Sequence, residues 1–216
     1  MRLPKTMTES GPTSTRVLRF WKWFEEHLPE IEDWLDFDAA RPGSPIPRMI
    51  GESLADIRAG LRWEIGPLLK GDGRFFAVSP GRREELLQTC KGVVAAAPVV
   101  PGWTFLPAKP PKAWGQRLAM RASGREYQFD FSDGWRYSAN VSGEARIDVH
   151  VWPPVKVVGG APLEVVLGAV ELALECQVGE LFLVERVGAI DVDVLTRPPT
   201  NALIFPLDMG DRARAL

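Results

Sequence analysis

At residue 61 the apolar pattern of the chain changes period, and that change constrains the fold more than any motif does. Before it, the stretch RVLRFWKWFEEHLPEIEDWLDF at 16–37 places Phe20, Trp21, Phe24, Leu28, Ile31, Trp34 and Leu35 at helical spacing. That spacing predicts an amphipathic helix bent at Pro29, with Ser14 or Thr15 as its cap. Its outer face is acidic through Glu25, Glu26, Glu30, Glu32, Asp33, Asp36 and Asp38. The prolines of RPGSPIPR at 41–48 predict a loop. A short second helix follows, with Ile50, Leu54, Ile57 and Leu61 inward and Gly60 near its end.

After residue 61 the apolar residues alternate. Leu61, Trp63 and Ile65 form one face of a strand, GDG at 71–73 turns the chain, and FFAV at 75–78 returns. Ser79 and Pro80 read as the N-cap and first residue of a helix whose stripe is Leu86, Leu87, Cys90, Val93, Val94 and Ala97. Pro98 ends that helix, and WTFL at 103–106 is the next strand.

The second half repeats the order. Tyr127, Phe129 and Phe131 alternate up to a turn at Asp133 and Gly134; Trp135, Tyr137, Ala139 and Val141 follow; a turn at Ser142 and Gly143 leads to Ile147, Val149 and Val151. Pro162 opens a helix reaching Gln177, with Gly179 as its C-cap. LFLVE at 181–185 and AIDVDVL at 189–195 read as the last strands. The expectation is therefore an α+β fold: antiparallel sheets with helices on one face, in two hairpin, helix, strand units behind a helical segment. The expected divisions are a disordered start at 1–15, a helical segment at 16–60, an α+β domain at 61–200 and a tail at 201–216, with 16–216 as one compact unit.

A chain of 216 residues with 45% hydrophobic residues can bury a core unaided. Its net charge of −2 gives no bulk attraction to nucleic acid or membrane. Cys90 and Cys176 lie in apolar helical segments, as buried thiols of a reducing cytoplasm do. The first residues, MRLPKTMTESGPTST, lack the apolar run of a signal peptide, and the segment from Val165 to Leu174 is broken by Glu171. A cytoplasmic location without a membrane span is expected.

FWKWF at 20–24, LRWEIGP at 61–67, SPG at 79–81, VAAAP at 94–98 and PGWTFLPAKPPK at 101–112 occur in an order that resembles a family of uncharacterised bacterial cytosolic proteins. Members have an aromatic first helix, a strand reading like F-E-I-G, a helix ending in A-P, and a W-x-F strand followed by a K-P tail. Beyond Trp114 the resemblance rests on GREYQFDFSDGW and the helix ending at Gly179 and Glu180. It implies a shared fold and a bacterial cytosolic setting, with no catalytic residues. Some small proteins of this general kind are immunity or accessory proteins of toxin systems.

The residues point to no cofactor. His27 and His150 lack ligand spacing, and neither cysteine has a CxxC partner. Glu171 and Glu175 at i, i+4, with Asp191 and Asp193 on one strand face, are the carboxylate set with metal-binding or hydrolytic potential; amphipathic patterning explains every one of these positions as solvated, and is the favoured reading. Ser79 lacks a nucleophile elbow, and the glycines at 71, 73 and 81 form no phosphate loop.

Two surfaces remain. Lys109, Lys112, Arg117, Arg121 and Arg125, with Trp114 among them, have the basic and aromatic mixture of a nucleic-acid surface, but no known motif accompanies them. Trp23, Trp114 and Trp152 fall out of phase with the core, whereas Trp21, Trp34, Trp63 and Trp103 are in phase. The favoured function is binding to another protein, of the immunity or accessory type, through Trp23, Glu25, Glu26 and Glu30 and through Trp114, Arg117 and Arg121.

Overall fold

A computed structural model of the chain describes residues 12–38, 43–142, 146–158 and 160–204. The disorder expected at 1–11, the turn at Gly143, the tail at 205–216 and the side chain of Asp38 lie outside the described residues. The chain is α+β with an N-terminal helix. It divides into two compact units, Met1–Leu68 with Asp72–Pro107, and Leu69–Gly71 with Ala108–Leu216. The boundary therefore falls after β-strand WTFL, not at residue 61, and each unit has its own apolar core.

In the first unit, α1 (Pro12–Glu26) and α2 (Leu28–Asp33) run into a π-helical turn (Trp34–Asp38), and α3 (Ile46–Ile57) follows. Residues 12–15 are helical, so Ser14 and Thr15 lie inside α1 and do not cap it. The chain breaks at His27; Pro29 sits in the first turn of α2, where a missing N–H is harmless. Likewise Ile46 and Pro47, read as loop, open α3. Then β1 (Arg62–Pro67) and β2 (Arg74–Ser79) pair antiparallel, α4 (Glu84–Ala95) crosses over, and β3 (Trp103–Leu106) lies parallel to β2. That parallel strand is a departure from the expected antiparallel sheet, and it follows from the helix between β2 and β3. Phe20, Trp21 and Phe24 of α1 are buried and meet Phe76 of β2 ring to ring. Ser79 does not cap α4, which starts at Glu84 with Arg83 as its N-cap; the buried Ser79 hydroxyl accepts the Gly81 amide at 3.1 Å and closes the SPG turn.

In the second unit, β4 (Arg117–Ala122) and β5 (Arg125–Asp130) form an isolated antiparallel hairpin. Strand β4 lies within the basic stretch 109–125, where the sequence pattern predicts no strand, and its Leu118 and Met120 alternate into the core. Next come β6 (Arg136–Ser142), β7 (Arg146–Trp152), α5 (Val155–Val158), α6 (Leu163–Val178), α7 (Glu180–Arg186), β8 (Val187–Val192) and β9 (Leu203–Ile204). The four-stranded sheet has the order β8-β7-β6-β9, with β8 parallel to β7. The repeat of hairpin, helix and strand is thus β6, β7, α6 and β8, each strand order matching β1, β2, α4 and β3.

Two readings are corrected here. LFLVE is helical, in α7, because Leu183 and Val184 are buried from consecutive helical positions and override the β-propensity of the segment. Residues 203–204 are a strand on β6, not tail.

Candidate functional site

The K-P tail and the end of α6 come together. Lys109 Nζ lies 3.1 Å from Glu175 Oε1, and the Glu175 side chain is only 1% exposed. The Lys109 amide donates to Glu180 Oε2 at 3.0 Å, and the Glu180 amide donates to the Lys109 carbonyl at 2.9 Å. Lys112 N donates to the Cys176 carbonyl at 2.7 Å. Gly179, with φ +82, lets this strap pass: a Cβ there would stand 2.8 Å from Pro111 Cδ. Glu175, expected on a solvated stripe, is instead a buried anion held by the strap. Such a cluster fastens the segment 108–112 to the α6–α7 junction and is a structural lock.

Two of the four carboxylates with metal-binding or hydrolytic potential, Glu175 and Asp193, have partners of their own. Glu175 is engaged by Lys109. Asp193 accepts the amides of Leu195 and Thr196 at 2.8 and 2.9 Å and the Thr196 hydroxyl, which together hold its carboxyl down at about 2. Among the described residues, no three His, Cys, Asp or Glu side chains are grouped to hold a metal ion. His150 faces Ser138 on β6 and Asp191 on β8, a combination that no spacing in the sequence announces. Its Nε2 stands 3.8 Å from Asp193 Oδ2, beyond hydrogen-bond reach, and its ring packs on Trp152 at 4.3 Å. The residue types of an acyl-transfer site share one face here without the hydrogen bonds that would activate the serine.

The basic stretch is also divided. Lys109 belongs to the lock. Arg117 pairs with Asp130 at 3.3 Å and Arg121 with Glu126 at 3.1 Å, each across the hairpin. The hydroxyl and amide of Ser132, and to a lesser degree Arg117, keep the Asp130 carboxyl below its ordinary range. Arg125 lies over the Tyr127 ring at 5.5 Å. Trp114 is half-buried and packs against Phe131, 5.7 Å between rings. Trp152 is buried too.

Trp23 packs against the core of the first unit in the same half-buried way as Trp114. It is half-buried, at the wall of a groove of about 340 Å³ between α1 and α3 that Arg19, Glu52, Ser53 and Asp56 also line. Phe20, Trp23 and His27 stack along the helix at 6.3 and 5.0 Å, and His27 Nδ1–H donates to the Trp23 carbonyl at 2.9 Å. This aromatic ladder is fixed, which lowers the entropy lost when a partner meets it. Glu25, Glu26 and Glu30 are exposed beside it, and Glu25 and Glu30 make no ion pair with another described residue. Arg19 is likewise exposed and without a carboxylate partner among the described residues. The sequence pattern singled out Trp23 and the three glutamates; it missed Arg19 of α1, and it missed Glu52 and Ser53 because α3 contributes them across a helix-to-helix contact.

Searches against protein-family models, curated proteins and solved structures gave no match to this chain. Among the described residues no helix is long and apolar enough to cross a membrane.

Proposed function

We propose that this chain is a non-catalytic protein of the bacterial cytosol that binds another protein, of the immunity or accessory type, through α1 and α2. The observation that carries the reading is the pairing of a half-buried Trp23, stacked on His27, with the carboxylates of Glu25 and Glu30, which make no ion pair among the described residues. An indole held at a groove is an effective interface anchor, and unpaired carboxylates around it favour a partner surface rich in Lys and Arg. Such a surface gathers its partner by long-range attraction, so association slows as salt rises.

The competing readings have less support. A nucleic-acid surface needs uncompensated cations, and Arg117 and Arg121 are both matched by carboxylates. A hydrolytic carboxylate site needs Glu171, Glu175, Asp191 and Asp193 to converge, and Glu175 and Asp193 are each engaged elsewhere.

The test is binding to the product of the adjacent gene, purified and titrated against the full chain, Trp23→Ala and the triple variant Glu25→Lys, Glu26→Lys, Glu30→Lys. The expected result is binding that weakens at least about tenfold in each variant, with the association rate of the unaltered chain falling as salt rises. Equal binding by all three proteins removes this reading.

A further inference from the structure

Among the described residues the hairpin β4–β5 has no third strand, and its geometry shows which groups are left over. The Phe131 amide donates to the Gln116 carbonyl at 2.7 Å, and the register pairs Leu118 with Phe129. Backbone groups in an antiparallel pair face the partner at every second residue. Arg125, Tyr127 and Phe129 therefore direct their N–H and C=O groups to β4, and Glu126, Gln128 and Asp130 direct theirs outward. Of these, the Asp130 carbonyl accepts from Trp135 Nε1 at 2.8 Å. The N–H and C=O groups of Glu126 and Gln128 and the N–H of Asp130 have no partner among the described residues.

An open edge is usually guarded by charge. Here both acidic side chains on the outward-facing residues are drawn back over β4, Glu126 by Arg121 and Asp130 by Arg117. These are the close, non-hydrogen-bonded pairs of the ladder, in which opposing side chains stand nearest. Gln128 Nε2 also turns inward, to Glu126 Oε1 at 2.7 Å. The edge is left accessible.

It opens on a cleft of about 380 Å³ that runs the length of β5, Arg125 to Asp130, and is closed on the far side by Lys156, Val157 and Ala161. We infer that this cleft receives one extended segment of a partner polypeptide, which joins β4 and β5 as a third strand. The far wall decides the occupant: a cleft bounded on both sides admits a single strand, whereas a second copy of the hairpin would bring its own β4 into that wall. Charge indicates the segment's chemistry. Lys156 is matched by Asp133 at 3.3 Å, but among the described residues Arg125 has only the Tyr127 ring. A segment with a carboxylate opposite Arg125, and alternate apolar residues towards Val157 and Ala161, satisfies both walls. The site lies in the second unit and does not depend on the reading of α1 and α2.

The test begins with selection of linear random peptides displayed on phage against the full chain. Selected peptides are then titrated against the unaltered chain, Gln128→Pro and Arg125→Glu, with amide hydrogen exchange read residue by residue. Gln128→Pro removes an outward N–H and fills the edge while leaving the β4 ladder intact. The expected hits carry an acidic residue, bind about tenfold or more weakly to both variants, and slow exchange at Glu126 and Gln128. Should Gln128→Pro fail to fold, the exchange pattern on the unaltered chain decides. Absence of hits, binding indifferent to the variants, protection at other residues, or a concentration-dependent dimer that protects Glu126 and Gln128 without peptide each overturns the inference.

Discussion

Lys109 and Glu175 form an ion pair 3.1 Å apart in which the carboxylate is almost wholly buried and the ammonium is one-fifth exposed, at 1% and 21%. Removing one member of such a pair leaves a charge that water cannot reach. Lys109→Met is expected to destabilise the second unit by about 3 kcal/mol. Lys109→Met with Glu175→Leu should recover most of that loss, because the buried carboxylate that Lys109 held is removed with it. Urea denaturation of the single and double variants measures both; a double variant as unstable as the single one contradicts the account.

Asp193 supplies a dependence on acid. Its carboxyl is lowered from 3.8 to about 2, first by the Thr196 hydroxyl and then by the amides of Thr196 and Leu195. A carboxyl lowered on folding stabilises the fold above its unfolded value, and the contribution is lost as pH falls through the folded one. The window is therefore between about 4 and about 2. Carboxyl carbon shifts should titrate with a midpoint near 2, and Thr196→Val should move the midpoint up. An unaltered midpoint in Thr196→Val speaks against the hydroxyl as the main cause.

Trp21 is buried and its Nε1 donates to the Val93 carbonyl at 2.8 Å, tying α1 to α4. Trp21→Phe keeps the apolar contact with Phe76 and Phe105 but removes the donor. It should cost about 1–3 kcal/mol, read by thermal unfolding of the first unit. A shift no larger than that of an exposed control such as Lys22→Ala means the bond contributes nothing net.

Arg117 and Arg121 have side chains 78% and 84% exposed, so their carboxylate partners gain little from them. The double substitution to Ala is expected to change stability by less than about 1 kcal/mol. It should also leave double- and single-stranded DNA unbound at physiological salt, as in the unaltered chain; binding that the substitution abolishes restores the nucleic-acid reading.

The sequence carried the helices and most strands because their periods are set locally. Phe20, Trp21, Phe24, Ile50 and Leu54 all point inward as their spacing demands, and so do Phe129, Tyr137, Val149 and Val151. What it hid was non-local. Strand β4 was masked by Arg117 and Arg121, whose charges are explained only by Asp130 and Glu126 across the hairpin. The segment LFLVE is strand-like by propensity and helical by packing. Glu175 sits in phase with other glutamates of α6, and its burial goes with the arrival of Lys109 from a distant segment. Of the candidate site, Trp23 and its glutamates were visible as an amphipathic mismatch, and the α3 wall of the groove was not.

The passage of the strap over Gly179 has a consequence for how this chain tolerates change. With a left-handed backbone and the Pro111 ring where its side chain would be, Gly179 cannot vary alone. Nor can the strap be rerouted while Lys109 and Lys112 are anchored to the two helices on either side of it. For purposes of descent, residues 109–112 and 175–180 behave as one inherited character, distant in the chain and fixed or replaced together.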